Sequence, residues 1–170
     1  MKRPAPEEIR RLPITRGGGP RVAVVYPNKY QVGMANLGFQ ACLAELSQQP
    51  ITLDRVFVDH DDEEPPRSYE LDMPLSNFHA LIFSVSFEPD YLGLVLALKR
   101  AGLAPLTEDR GPRDPLVVGG GIAVTLNPEP AAPFCDLMGV GEAEVLLPPL
   151  LPLLLEGPHR DDLVARAARL

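Results

Sequence analysis

Three consecutive glycines, Gly119, Gly120 and Gly121, follow an apolar segment with the composition of a buried strand. Glycine is about 0.5–1 kcal/mol less favourable than alanine inside regular structure, so this run indicates a backbone that side chains would obstruct. A tight turn, close packing and the approach of a ligand are the three explanations. The chemistry that such a segment offers is binding, through accessible backbone amides on a surface free of side chains.

Other residues with binding chemistry follow other apolar segments of the chain. An asparagine, a tyrosine and two glycines follow the first segment, two serines close the third, and a Gly-Glu pair follows the fifth. We take these residues, together with the glycine run, as candidate cofactor-binding residues and assign none of them to catalysis or to a metal. The candidates are Asn28, Tyr30, Gly33, Met34, Leu37, Gly38, Ser84, Ser86, Gly119, Gly120, Gly121, Gly141 and Glu142.

The elements that must position these residues alternate along the chain. Apolar segments predict strands at 21–27, 51–59, 80–87, 115–120 and 135–141, the second of them from partial alternation of apolar and polar residues. Helical spacing predicts helices at 31–49, 88–103 and 159–170, and a helical start after residue 141, where Pro152 argues against continuity. Residues 127–134 predict at most one turn of helix.

This alternation predicts an α/β fold with a doubly wound, five-stranded parallel sheet of order 2-1-3-4-5, as in Rossmann-like and flavodoxin-like domains. In such folds, ligands lie beyond the carboxyl ends of the strands, at the switch point beside the first strand. The candidate residues all follow strands, so we expect them to line that crevice. The alternative for each glycine loop is an ordinary strand-to-helix turn.

Several well-known ligands of this architecture do not suit the first loop. A dinucleotide site requires Gly-x-Gly-x-x-Gly there, and the loop has only Gly33 and Gly38. A flavin mononucleotide site requires hydroxyl groups around the phosphate, and positions 26–38 contain no serine or threonine. A magnesium-binding receiver domain requires acidic residues where the strand ends in Tyr26 and Pro27, and a P-loop is absent. A large, mostly uncharged ligand remains.

Composition limits the classes of function further. The 170 residues suggest one domain, with residues 1–20 as a leader or linker. A net charge of −7 argues against non-specific binding of nucleic acid or of anionic membranes. The longest apolar run, 146–155, is short and broken by proline, which argues against a membrane span. Two cysteines without a Cys-x-x-Cys pair indicate a reduced, cytoplasmic protein.

Two segments resemble the cobalamin-binding domains that precede radical S-adenosylmethionine (radical SAM) domains. The first resembles the opening signature of one subfamily through Pro27, Tyr30, Gly33, Met34, Leu37 and Gly38. The second is similar to a later signature through Gly119, Gly120, residues 127–130, Asp136 and residues 141–144. The resemblance covers about residues 21–155, and the two signatures are specific mainly in combination.

The resemblance implies a cobalamin-binding module at 21–158, followed by a terminal helix at 159–170 that leads to a radical SAM domain. That domain, on the same longer chain or on a separate subunit, would carry the S-adenosylmethionine and the [4Fe-4S] cluster. Its three-cysteine motif is absent here, and Cys42 and Cys135 cannot hold such a cluster alone. We therefore expect a fragment that is not an enzyme by itself.

Some alternatives remain open at this point. The mutase-type Asp-x-His-x-x-Gly motif is missing, so a lower axial ligand would have to come from elsewhere, with His60 the least implausible residue. The acidic run at 59–64 invites a metal site, although such runs are usually solvated. Glu142 and Glu144 suit the start of a helix for structural reasons alone. A docking domain without a cofactor is the main rival function, and a flavin-dependent reductase is the weakest.

Overall fold

The computed structural model describes residues 18–155 and 160–169. The strands are β1 (Arg21–Tyr26), β2 (Thr52–Phe57), β3 (Ala80–Ser84), β4 (Leu116–Gly120) and β5 (Leu137–Met138). The helices are α1 (Tyr30–Met34), α2 (Leu37–Ser47), α3 (Asp90–Arg100), α4 (Ile122–Leu126), α5 (Ala143–Leu155) and α6 (Arg160–Ala167). Of the predicted leader at 1–20, residues 1–17 lie outside the described part of the chain.

The five strands form one parallel sheet in the order β2-β1-β3-β4-β5. This confirms the predicted α/β fold and its strand order, which is that of flavodoxin-like domains. The central strands carry unbroken apolar runs because helices cover both sides of the sheet. Alternate residues of each strand therefore enter different cores.

One core lies between the sheet and helices α2 and α5. It contains Val22, Val24 and Tyr26 of β1, with Phe39 and Leu46 of α2, all fully buried. The other core lies on the opposite face, where the odd-numbered residues of β3 and β4 pack with α3. Because the side-chain direction alternates along a strand, the position of any strand residue tells which core, or which cavity, it faces.

The structure departs from the predicted elements in three places. The single helix predicted at 31–49 is wrong, because Asn36 has an extended backbone that separates α1 from α2. Helix α4, which begins directly after the glycine run, was not predicted. Helix α5 continues through Pro148, Pro149 and Pro152, whose side chains are exposed, so the carbonyl groups without an intrahelical partner lie on the solvent side.

The edge strand β2 is covered by the segment 67–74, which we call the strap. Asp54 of β2 is fully buried, and its carboxylate accepts hydrogen bonds from the backbone N–H groups of Arg55, Glu70 and Leu71. Arg55 and Glu70 form a buried ion pair at 2.5 Å. Burial, with the Asp54 carboxyl nearby, raises the pKa of Glu70 to about 7. The strap covers a sheet edge that would otherwise be open to pairing.

Each helix among the described residues is too short or too polar to cross a lipid bilayer.

Candidate functional site

A cavity of about 390 Å³ opens at the carboxyl ends of β3 and β4, between α2 and α5. It lies beside the β1/β3 switch point, because α2 follows β1 and the cavity reaches the segment after β3. Nine of the thirteen predicted binding residues line it: Leu37, Gly38, Ser84, Ser86, Gly119, Gly120, Gly121, Gly141 and Glu142. The topology thus brings four separate loops of the chain to one cavity.

Gly120 keeps the floor of this cavity open. It is the last residue of β4 and lies on the α2/α5 face, as Leu116 and Val118 do. A Cβ atom at Gly120 would have one atom within 4 Å, the carbonyl oxygen of Gly139 at 3.7 Å. A side chain at this position would therefore extend into the cavity rather than into protein.

The neighbouring glycines are required by packing. A Cβ atom at Gly119 would lie 2.7 Å from Sγ of Cys135, on the opposite face of the sheet. Gly121 has φ = 106° and ψ = 175°, a combination that is essentially confined to glycine. It also approaches the residue after β3 so closely that a Cβ atom would lie 2.4 Å from the carbonyl oxygen of Val85. The glycine run thus combines a cavity floor, a close contact and a strained turn.

Asn36, which the sequence analysis did not select, connects two walls of the cavity. Its Oδ1 accepts a hydrogen bond from the backbone N–H of Phe39 at 2.9 Å and so caps the N-terminus of α2. Its Nδ2 donates to Oγ of Ser86 at 2.9 Å. The available signal was an asparagine directly before an apolar helical segment, which is a common N-cap pattern.

Four predicted binding residues lie outside the cavity lining. Asn28 donates a hydrogen bond to the buried Asp90. Tyr30 stacks on Tyr69 of the strap, with ring centroids 5.3 Å apart. Gly33 lies against aromatic rings, since a Cβ atom there would be 2.8 Å from Phe57. Met34 Sδ lies 3.1 Å from Nη1 of Arg55. In the structure, these four residues pack α1 and the first loop against β2, α3 and the strap.

The electrostatic character of the cavity is neutral to acidic. None of its lining residues, all in the described part of the chain, is Lys, Arg or His. The hydrogen-bonding side chains are those of Asn36, Ser84, Ser86 and Thr125, together with the carboxylates of Glu142 and Glu144 at the start of α5. Cys42 also lines the cavity, and burial, reinforced by the Glu144 charge, raises the pKa of its thiol to about 12.

Large apolar side chains are exposed in the segments that follow the strands, and two of them, Leu37 and Ile122, line this cavity. Leu37 is 84% exposed, Leu126 78% and Val145 70%, although each would be more stable buried. We call the set the apolar rim; all its members follow the carboxyl ends of strands: Leu37, Phe87, Ile122, Leu126, Val140 and Val145. Exposed apolar side chains, where they are contiguous, commonly mark an interaction site.

The histidines of the described residues do not face the cavity. His60 Nε2 lies 2.9 Å from the carbonyl oxygen of Pro27 and close to Gly93 of α3. His79 lies at the amino end of β3, where its Nδ1 accepts a hydrogen bond from the backbone N–H of Arg21. His159 lies outside the described residues. Within 18–155 and 160–169, no group of three or more metal-ligating side chains is found, including in the acidic run at 59–64.

The later signature segment contributes structural contacts. Asp136 accepts a hydrogen bond from the backbone N–H of Val117 at 2.7 Å and lies 3.4 Å from the guanidinium of Arg110, with both side chains buried. The backbone carbonyl oxygen of Asn127 accepts a hydrogen bond from the Tyr91 hydroxyl at 2.6 Å. The backbone carbonyl oxygen of Glu142 accepts hydrogen bonds from the backbone N–H groups of Val145 and Leu146. These are the first hydrogen bonds of α5.

Comparison with known proteins identifies one family. The family model described as "Radical SAM proteins, N-terminal" matches residues 38–170, which is most of the chain. No curated protein and no solved structure matches. The match begins at the second residue of α2 and includes all the cavity-lining residues except Asn36 and Leu37. The chain therefore belongs to the family of N-terminal regions of radical SAM proteins.

Proposed function

We propose that this chain is a cobalamin-binding module that works with a radical SAM catalytic domain. The single observation that carries the proposal is the cavity at the carboxyl ends of β3 and β4, which is floored by glycine and lined in part by the exposed Leu37 and Ile122 of the apolar rim. Family membership supports the radical SAM context. The cofactor itself is supported by the resemblance of the two signature segments and by the fit described next.

The cavity suits one part of the cofactor. Small-molecule pockets commonly measure about 300–1,000 Å³, and 390 Å³ is at the small end of that range. A whole cobalamin is larger than such a cavity, whereas its nucleotide tail is a long, narrow group. Ser84, Ser86 and Thr125 would offer hydroxyl groups to the tail, and Gly120 would leave it room.

The apolar rim suits the other part. A corrin ring is broad and flat, with a largely apolar face, and Leu37 and Ile122 are exposed where the cavity opens. The neutral to acidic lining disfavours a ligand with a free terminal phosphate, because no lining side chain is a cation. This argues against a flavin mononucleotide enzyme and in favour of a ligand whose phosphate is a diester.

Ser84, Ser86 and Thr125 would hold the cofactor, whereas His60 and His79 lie outside the cavity lining. When bound, cobalamin would supply a cobalt centre able to carry a methyl group for transfer. This chain's own residues would bind and orient the cofactor. The reaction would require S-adenosylmethionine and an iron–sulfur cluster held by the catalytic domain.

Titration of hydroxocobalamin into the purified 170-residue chain tests the proposal. We expect saturable binding with one site per chain and a change in the corrin absorbance that differs from the change produced by an added imidazole ligand. Absence of binding by both absorbance and calorimetry would overturn the proposal.

A second candidate function rests on the apolar rim alone. If the chain keeps the fold but binds no corrin, its exposed apolar side chains would dock the radical SAM domain directly. Association with a separately expressed catalytic domain in the absence of cobalamin, lost when Leu126 and Val145 are replaced by serine, would support this function. Binding that requires cobalamin would support the first.

A further inference from the structure

A second cavity, of about 340 Å³, lies at the opposite end of the sheet from the proposed cofactor site. Its lining includes residues at the amino ends of three neighbouring strands: Arg21 begins β1, His79 directly precedes β3, and Leu116 begins β4. The loop before β4 contributes Arg113 and Asp114. The two cavities share no lining residue, so the proposed function leaves this second cavity without a role.

The two cavities also differ in charge. None of the described residues that line the cofactor cavity is a cation, whereas the second cavity has the guanidinium groups of Arg21 and Arg113 against one carboxylate, that of Asp114. Both arginines are exposed, and neither forms an ion pair within the described ranges. Asp114 Oδ2 accepts a hydrogen bond from the backbone N–H of Gly111 at 2.7 Å. The two guanidinium groups can therefore both contact an anion.

The backbone determines which nitrogen of His79 carries the proton. Nδ1 accepts a hydrogen bond from the backbone N–H of Arg21 at 3.0 Å, so the neutral ring is protonated on Nε2 and can donate from that atom. Ser76 and Asn77, which also line the cavity, offer a hydroxyl and an amide as further donors. Donors thus outnumber acceptors among the polar side chains of the lining, as in sites that bind oxyanions.

Apolar side chains form the rest of the lining. Val22, Phe78 and Leu116 are buried, and Leu163 of α6 is half-buried. Sites for small molecules are commonly lined by apolar groups, with a few polar groups that fix the orientation of the ligand, and measure about 300–1,000 Å³. This cavity therefore suits a small ligand that has an apolar body and one anionic group.

We infer that the second cavity binds a phosphate monoester that carries a small apolar body. A guanidinium group can donate two parallel hydrogen bonds to an oxyanion, and Arg21 and Arg113 provide two such groups, with His79 Nε2 as a third donor. A phosphate monoester presents three terminal oxygens to this set and carries more charge than a carboxylate, which presents two. The inference goes beyond the proposed function and does not rest on it.

Titration of phenyl phosphate into the 170-residue chain, followed by calorimetry in a phosphate-free buffer, tests the inference. We expect saturable binding with one site per chain. Arg21→Gln and Arg113→Gln should each bind about tenfold more weakly, because each loses a charge-assisted contact. Lys99→Gln is the matched control for net charge, since Lys99 is exposed on α3 and outside the cavity lining, and its affinity should stay within about twofold of wild type. Thermal unfolding confirms that each variant is folded.

Two related probes test the class of ligand. Benzoate keeps an aromatic ring and replaces the phosphate by a carboxylate, and benzyl alcohol keeps the ring without a charge. We expect benzoate to bind at least about tenfold more weakly than phenyl phosphate, and benzyl alcohol to show no saturable binding.

The outcomes that overturn the inference are distinct. One is the absence of saturable phenyl phosphate binding, and another is equal affinity in the wild type, Arg21→Gln and Arg113→Gln. Benzoate or benzyl alcohol binding as tightly as phenyl phosphate would overturn the assigned ligand class and so the inference. Displacement of phenyl phosphate by hydroxocobalamin would place it in the cofactor cavity and also overturn the inference. Failure of hydroxocobalamin to bind would overturn the proposed function alone.

Discussion

Ser84 at the end of β3 is the register partner of Gly120 at the end of β4, and both line the same cavity. Paired residues of parallel strands point to the same face of the sheet, so a hydroxyl group and an empty position lie side by side. This pair defines the floor that we propose for the cofactor. The predictions below test first the structural contacts that maintain this floor and then its occupancy.

Gly119 and Gly120 should respond differently to the same substitution. Gly119→Ala places a methyl group 2.7 Å from Cys135 Sγ, so the side chain must shift, and we expect a loss of about 1–3 kcal/mol in the free energy of unfolding. Gly120→Ala has its nearest neighbour at 3.7 Å and should be neutral or slightly stabilising. Urea unfolding of the two variants measures the difference, and equal losses would contradict the assigned faces.

The strained turn at Gly121 should tolerate no side chain. Gly121→Ala combines a backbone conformation confined to glycine with a contact at 2.4 Å, and we expect it to cost more than about 2 kcal/mol of stability. Gly102 is the matched control, because its φ of 71° is also positive and no atom lies within 4 Å of its Cβ position. Gly102→Ala should cost about 1 kcal/mol. A smaller loss at Gly121 than at Gly102 would contradict the turn geometry.

The buried carboxyl of Glu70 should make stability depend on pH. Burial raises its pKa from about 4.5 to about 7, so between these values the folded chain holds a proton that the unfolded chain has released. The free energy of unfolding contributed by this group therefore falls as pH rises from about 4.5 to 7, by up to about 3 kcal/mol, and is constant above that range. Glu70→Gln cannot titrate and removes this slope.

The measurement is the difference in unfolding free energy between the wild-type chain and Glu70→Gln at several pH values. The unfolding free energy of the wild-type chain, relative to that of Glu70→Gln, should fall as the pH rises from about 4.5 to 7. A difference that stays flat, or that grows in favour of the wild type with rising pH, would show that the ion pair with Arg55 outweighs burial.

Neither cysteine should react in the folded chain. Cys42 and Cys135 are buried and free, and burial raises the pKa of each thiol to about 12. At pH 8, only about one molecule in ten thousand then carries the reactive thiolate at either position. We expect labelling by iodoacetamide to be slow in buffer and to reach two groups per chain in urea. Rapid labelling of Cys42 in buffer would show that the cavity is wider than described.

The strand order could be predicted from the sequence because each central strand is a continuous apolar run, such as Val22 to Val25 or Leu81 to Phe83. Nine of the candidate binding residues converge on one cavity because they lie at or after the carboxyl ends of strands of a parallel sheet. That convergence is a consequence of topology, so the sequence pattern that predicts the topology also indicates the cavity.

The remaining features depend on contacts between distant parts of the chain. Tyr30 and Met34 were selected for ligand binding, but their partners are Tyr69 and Arg55, far away in sequence. The break at Asn36 depends on a hydrogen bond to Ser86, fifty positions further along. Helix α5 continues through its prolines because Leu147 and Leu151 pack into the core with α2. Local pattern carries no information on such pairs.

The most direct test of the proposed function compares hydroxocobalamin binding by the wild-type chain with binding by Gly120→Leu. The added side chain would extend from the floor into the cavity, because the only atom within 4 Å of its Cβ is the carbonyl oxygen of Gly139 at 3.7 Å. Gly18→Leu is the matched control, since no atom lies within 4 Å of its Cβ and Gly18 is not part of the cavity lining. We predict saturable binding by the wild type and by Gly18→Leu, and binding at least tenfold weaker by Gly120→Leu. Equal affinity in all three proteins, or no binding by any of them, would contradict the proposed cofactor site.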